Sequence, residues 1–256
     1  MPVSPNTENY MYGKGELFFK PDGATGYMHL GNCPAFSISV ELEKAEHYSS
    51  MAGTREKDLS KVTQKTASSS ITLEEFSVQN MNLVLMGGTP STSSQSSSAL
   101  DGVEVTTVAD QYVPIQEGTM RLSNVVVEDD PLSPTTQYEE GVDYLVNRES
   151  GMIMALSTGS ISGTCYVSAD AAALDISTVN ALAESSTSGE LYFVGNPDIG
   201  PNWQVRGWKV ELSLSGELPF ISEDIAQLSV DAEFQADRNN HPAAPFFEAV
   251  NLSAGA

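Results

Sequence analysis

Positive charge is scarce in this chain. Twelve Lys and Arg stand against 34 Asp and Glu, a formal net charge of −22. A surface built to neutralise nucleic-acid phosphates needs the opposite balance, so gripping DNA or RNA is disfavoured as its task. Cysteine is nearly missing too. Cys33 and Cys165 are the only two, too few for a disulfide framework and without metal-ligand spacing. His29, His47 and His241 are scattered and read as lone surface or loop histidines rather than metal ligands. No run approaches 18 consecutive apolar residues, which leaves no candidate for a membrane-spanning helix. The opening stretch MPVSPNTENYMYGKG has no basic flank followed by an apolar core, so no signal peptide is expected, and folding in a bacterial or host cytoplasm fits.

Motifs of chemistry are equally thin. There is no Walker loop, dinucleotide fingerprint or EF-hand pattern. Gly159–Gly163 (GSISG) has Ile161 where a nucleophile elbow needs its central Ser, and it reads as a turn. Adjacent acids at Glu74-Glu75, Asp129-Asp130, Glu139-Glu140 and Glu223-Asp224 are what so acidic a composition delivers, and strand neighbours point to opposite faces. A glycosidase needs two carboxylates converging across a cleft, which adjacency does not supply. Aromatic and basic residues interleave only over Trp203–Lys209, which reads as core tryptophans on a strand with exposed cations between them. The expectation is a protein that is not an enzyme and holds no cofactor.

What is present is strand patterning. From Trp208 to Ser215 every even position is apolar and every odd one polar. From Ala226 to Ala236 the even positions are again apolar, set against Gln227, Ser229, Asp231, Glu233 and Gln235. Phe36, Ile38, Val40 and Leu42 form a third such face. Shorter candidates are Gly15–Lys20, Ala67–Leu73, Gly102–Ala109, Arg121–Glu128, Val142–Val146, Gly151–Leu156, Gly163–Ser168 and Glu190–Val194. One apolar face on so many strands argues antiparallel sheets, and the fold class is mainly β, of sandwich or barrel type. Two short helices are expected. One is opened by a capping box at Thr72–Glu75, runs from Phe76 to Met86 and stops at Gly87-Gly88; the other spans about Ser177 to Glu184.

Two stretches look unlike core. Thr89–Ala99 (TPSTSSQSSSA) has the composition of a flexible linker. Glu43–Gln64 lies between two strands and is far longer than a hairpin turn, and long loops in compact domains are functional or disordered. Five of the twelve cations fall between Lys44 and Lys65, and none between Lys65 and Arg121. This segment is expected to be a protruding arm that orders against a neighbour, with Tyr48, Met51, Arg55, Lys57 and Lys61 at the contact. Near the C-terminus, HPAAP (His241–Pro245) cannot continue a strand and reads as an extended strap, with Phe246 and Phe247 docked on a neighbouring subunit. The expected domains are 1–88 as the first half of the main domain, 89–99 as linker, 100–170 as an inserted β module, and 171–256 as the second half.

In order, these pieces resemble the major tail tube proteins of long-tailed bacteriophages. The likeness rests on GELFFKPDG (Gly15–Gly23), the strand, arm and helix of Gly31–Gly87, and the strand pair Gly207–Phe234. The block Tyr138–Leu156 is similar to a short β unit recurrent in phage virion proteins. The resemblance implies a virion protein assembled in a bacterial cytoplasm. Copies of the chain would form hexameric rings whose inner strands build a β-barrel channel, stacked into a tube with other tail proteins at its ends. DNA would pass without specific binding, and the inserted module would lie outside. It further implies that Glu211, Ser213, Asp231 and Glu233 face the channel. Two other classes stay open: a carbohydrate- or receptor-binding β module of a virion or cell surface, and a hydrolase assembled from distant carboxylates.

Overall fold

The computed structural model describes residues 9–51 and 53–252. The chain divides into two compact units, Met1–Pro90 with Val179–Ala256, and Ser91–Thr178. The first unit opens with β1 (Gly15–Pro21), β2 (Met28–His29), β3 (Ala35–Ser49), β4 (Glu56–Leu73) and helix α1 (Val78–Val84). The second holds β5 (Ser91–Gln95), β6 (Ser98–Thr106), β7 (Tyr112–Pro114), β8 (Leu122–Glu128), β9 (Tyr144–Asn147), β10 (Met152–Ala155), β11 (Thr164–Ala171) and β12 (Leu174–Thr178). The first unit then resumes with β13 (Thr187–Gly195), β14 (Trp203–Leu214), β15 (Leu228–Phe234) and β16 (Phe247–Asn251). The protein is mainly β, with antiparallel sheets throughout.

One sheet organises the first unit, in the order β2-β1-β13-β14-β15-β4-β3. The long strand β14 carries two partners on one side: β15 along Val210–Leu214 and β16 along Trp203–Gly207. The inner face buries Leu17 and Phe19 of β1, Ile71 of β4, Val210 and Leu212 of β14, and the even positions of β15 from Leu228 to Phe234. Helix α1 adds Leu83 and Val84 to this core. The period-two reading of β15 is met along its length, because Ser229, Asp231 and Glu233 turn outward.

The same reading fails at Trp208, and the cause is a bulge. Gly189 pairs Val210 while Leu191 pairs Gly207, so β14 carries one extra residue there. Gly207 and Val210 both turn inward, and a side chain on Gly207 would strike the Phe234 ring at 2.5 Å. Trp208 is thereby moved to the outer face. There it stacks on His241 with ring centroids 3.6 Å apart, and its indole donates to the Ala244 carbonyl at 2.8 Å. Trp203, expected in the core, is partly exposed beside a groove with Phe36 and Phe193.

The helices also differ from expectation. Thr72 is held in β4 by register with Ala35 and Ser229, so it cannot cap a helix. Ser77 takes that role, its hydroxyl accepting from the Asn80 amide at 3.1 Å, and α1 shortens to seven residues. The Glu75 carboxylate instead accepts from the Asn32 amide. The second helix does not form. Leu182 adopts φ 57°, incompatible with a right-handed helix, and its amide donates to the Leu85 carbonyl at 2.7 Å. Glu184 does the same to Met86, so this segment satisfies carbonyls beyond the end of α1 rather than forming a helix of its own.

In the second unit, sheets β6-β11-β8 and β7-β10-β9 contribute to one core containing Val127, Ile153, Cys165 and Val167. The unit spans 91–178, wider than the expected 100–170, because the presumed linker is structured. β5, within Thr89–Ala99, pairs with β12 from Ser91↔Thr178 to Gln95↔Leu174. A strand ladder is closed by main-chain hydrogen bonds, so polar Ser and Thr suffice where a partner strand is supplied. Gln95 locks the pairing, donating to the Met120 and Ala172 carbonyls and accepting from the Met120 amide. The block Tyr138–Leu156 contains the β9–β10 hairpin, registered from Tyr144↔Ala155 to Asn147↔Met152. Asp143 stabilises the approach to it by accepting from the Glu139 and Ser160 amides, which hold its carboxyl below the usual carboxylate range.

Candidate functional site

The first unit presents a continuous polar face across four strands. Antiparallel register places Glu211 opposite Glu233 and Ser213 opposite Asp231. Next to them, Glu233 faces Ser68 and Asp231 faces Ser70. One strand further, Ser39 faces Ser68 and Ser37 faces Ser70. The side chains of Ser37, Ser39, Ser68, Ser70, Asp231 and Glu233 line a shallow trough of about 310 Å³. Among the described residues, no ion pair involves Glu211, Asp231 or Glu233. Gln235 gives Glu211 one neutral donor at 2.8 Å. The four residues expected to line a channel therefore share one face, which is acidic and hydroxylic and backed directly by the core.

A different logic governs the outer face over β1, β13 and the first half of β14. Here Lys20, Tyr27 and Arg206 all converge on Glu190, the phenol at 2.5 Å and the guanidinium at 2.8 Å. Burial opposes ionisation of Glu190, but these three donors outweigh it and hold its carboxyl down at about 2. Tyr27 responds in the opposite sense. Burial, then the hydrogen bond to Glu190, pushes its hydroxyl up to about 12. Sequence reasoning missed this cluster, since its members lie far apart in the chain and only the strand register brings them together.

The segment expected as an arm is a two-stranded ribbon. Beyond Ala67, the last β4 residue paired with β15, β3 and β4 pair only with each other among the described residues. Almost every ribbon residue is exposed, including Val40, Leu42, Leu59 and Val62. Met51, at the turn, is 96% exposed. Glu46, Tyr48, Arg55 and Lys57 group on one side: Lys57 pairs with Glu46, the Tyr48 hydroxyl donates to Glu46 at 3.0 Å, and Arg55 lies 5.9 Å from the Tyr48 ring. His47 and Asp58 meet on the other side at 2.6 Å. Lys61 stands exposed and registered with Ala45.

The C-terminal aromatics are half-buried on their own chain. Phe246 and Phe247 pack against the core of their own chain, with the Phe247 ring 5.4 Å from Phe234. The reason is β16, which pairs with β14 immediately after the Pro-rich segment and draws both rings onto the sheet. His241–Pro245 runs through consecutive bends rather than as an extended strap, because the His241 amide donates to the Asp237 carbonyl and the Asp237 amide to the Pro245 carbonyl; the Trp208 stack pins it to the sheet.

Burial pushes both thiols up, Cys33 and Cys165 each to about 11, so neither is a ready nucleophile at neutral pH. Among the described residues no group of three or more His, Cys, Asp or Glu side chains could hold a metal ion. No described helix is long and apolar enough to cross a membrane.

Fold and surfaces thus define a two-unit, antiparallel β protein with a segregated acidic face and an exposed β ribbon. Residues 10–248 match the family described as Protein of unknown function UCP028589, and the chain belongs to that family. No match to a curated protein was found.

Proposed function

We propose that this chain is a non-enzymatic structural subunit that assembles with copies of itself into stacked rings. The particular assembly we infer is the hollow tail tube of a long-tailed bacteriophage, through which DNA passes. The observation that carries the reading is the ribbon. An isolated two-stranded hairpin is at best marginal in water, yet this one runs for eleven β4 residues beyond the sheet with Val40, Leu42 and Val62 bare among the described residues. Such a surface is explained by a partner that covers it.

The acidic face supports the same reading. Strands with one polar face line a wet channel while their apolar face packs on the outer layer. Carboxylates with no ion-pair partner among the described residues repel a phosphate backbone and so favour its sliding past. Ring closure would also remove the exposed edge of β3, a long strand with no outer partner among the described residues. A carbohydrate- or receptor-binding module needs open aromatic platforms. Trp208 on the outer face is not such an open platform, being stacked on His241 and 5.0 Å from the Arg206 guanidinium. Electron microscopy of the purified protein at rising concentration tests the proposal. Rings or tubes are expected, and a monodisperse monomer at every concentration would refute it.

A further inference from the structure

The ribbon has two chemically different faces. Register places Leu42 opposite Lys65 and Lys44 opposite Val62. Two irregularities, between Glu43 and Lys44 and between His47 and Tyr48, keep these residues on the side that also carries Tyr48, Arg55 and Lys57. That side therefore holds four cations and one acid, Glu46, around bare apolar side chains. The opposite side carries Glu41, Glu43, Glu56 and Asp58 with Lys61. In a chain of net charge −22, a cationic and apolar strip is an exception that calls for an acidic and apolar partner.

The same unit contains such a partner. Between β14 and β15 the chain runs from Ser215 to Gln227 without regular structure, long enough for a loop to suggest a function. Leu218 anchors it against the core. Phe220, Ile221 and Ile225 project outward at 76%, 97% and 73% exposure. Glu217, Glu223 and Asp224 lie among them with no cation in the segment. Its apolar residues and charge sign complement those of the ribbon.

The two features cannot meet within one chain. Leu228, just after the loop, pairs with Leu73 at the end of β4, whereas the ribbon leaves the sheet at the other end of that pairing, past Ala67. The ribbon reaches roughly 35 Å further in the opposite direction. Complementary patches at opposite ends of one sheet make a head-to-tail contact, which propagates from copy to copy instead of closing a two-fold dimer.

We infer that the β14–β15 loop of one copy docks on the cationic face of the ribbon of the next. This rests on the self-assembly reading and adds to it a specific pair of surfaces. The test is charge reversal in the full chain. Glu217→Lys with Glu223→Lys and Asp224→Lys should raise the concentration needed for assembly at least about tenfold. Lys44→Glu with Lys65→Glu should do the same, and one chain carrying all five changes should assemble again. All are exposed positions, and an unchanged circular dichroism spectrum and melting temperature confirm the fold of each variant. If wild type assembles and the loop variant assembles equally well, or the five-fold variant fails to recover, this pairing is wrong while self-assembly stands. A wild type that never assembles, with the loop instead binding a different protein, overturns both.

Discussion

The acidic face makes a quantitative demand that stability measurements can check. Glu211 and Glu233 are direct cross-strand partners with no cation paired to either among the described residues. Neighbours across an antiparallel pair have Cβ atoms about 5 Å apart, and like charges there are destabilising by roughly 0.2–1 kcal/mol. Coulomb's law at about 6 Å gives about 0.7 kcal/mol in a water-like dielectric and about 3 kcal/mol at an effective dielectric near 20. Changing Glu233→Lys turns this repulsion into attraction, so the gain should be about 1–2 kcal/mol at low salt. For a unit of this size each kcal/mol raises the melting temperature by about 2–4 °C. The double variant Glu211→Lys, Glu233→Lys restores a like-charge pair and should lose that gain. Thermal melts of all three proteins in low and high salt provide the assay, with the differences shrinking as the screening length falls toward about 3 Å at 1 M. A single variant that melts lower than wild type, or a gain indifferent to salt, would refute the electrostatic account. In the proposed tube, the double variant should retain DNA through contacts that weaken steeply with salt.

Other expectations follow from the same geometry. Deleting Ser49–Leu59 should leave a folded, soluble protein that no longer polymerises, read by sedimentation beside circular dichroism. Replacing Phe246 and Phe247 with Ser should lower the melting temperature of the monomer by several degrees, because both rings pack on their own core; a defect confined to assembly would contradict this packing. Limited proteolysis should spare Ser91–Gln95, which sits in a ladder, and early cleavage there would contradict the β5–β12 pairing. Glu190 is depressed from 4.5 to about 2, so its stabilisation is complete above pH 4.5 and lost as pH falls from 4.5 toward 2. Glu190→Gln should flatten that part of the acid melting profile, and an unchanged profile would show that the three donors do not stabilise the sheet.

Much of the first unit was legible because one buried face writes period two into the sequence. β15 is the clearest case, with Leu228, Val230, Ala232 and Phe234 buried, Asp231 and Glu233 exposed and Ser229 half-buried. The shared face of Glu211, Ser213, Asp231 and Glu233 was legible for the same reason. Trp208 was misplaced because a bulge inserts one residue, and a bulge is specified by the partner strand rather than by local alternation. β5 was invisible because its residues contribute main-chain bonds and almost no buried side chains, and a composition rule sees only side chains. The Ser177–Glu184 helix was wrong because the free carbonyls beyond α1 compete for the same amides. The Glu190 cluster joins residues from β1, β13 and β14 with Tyr27, an arrangement that only register produces.

The two halves of the outer face, taken together, argue that the acidic half is kept for a purpose. Scarcity of cations cannot alone explain why Glu211, Asp231 and Glu233 lack them, since both Lys20 and Arg206 are placed on the single carboxylate of Glu190. The bulge at Gly207–Val210 marks the change, with Arg206 on one side of it and Glu211 on the other. On the first side the sheet neutralises its charge and covers its aromatics with the His241–Pro245 segment. On the second it leaves carboxylates opposed and solvated, at a cost in stability that a purely structural surface would shed by one substitution to Gln or Lys. A channel that must let a polyanion pass without holding it is a setting in which that cost is repaid. The ribbon fits the same setting, because it exposes apolar surface that no described residue of its own chain covers.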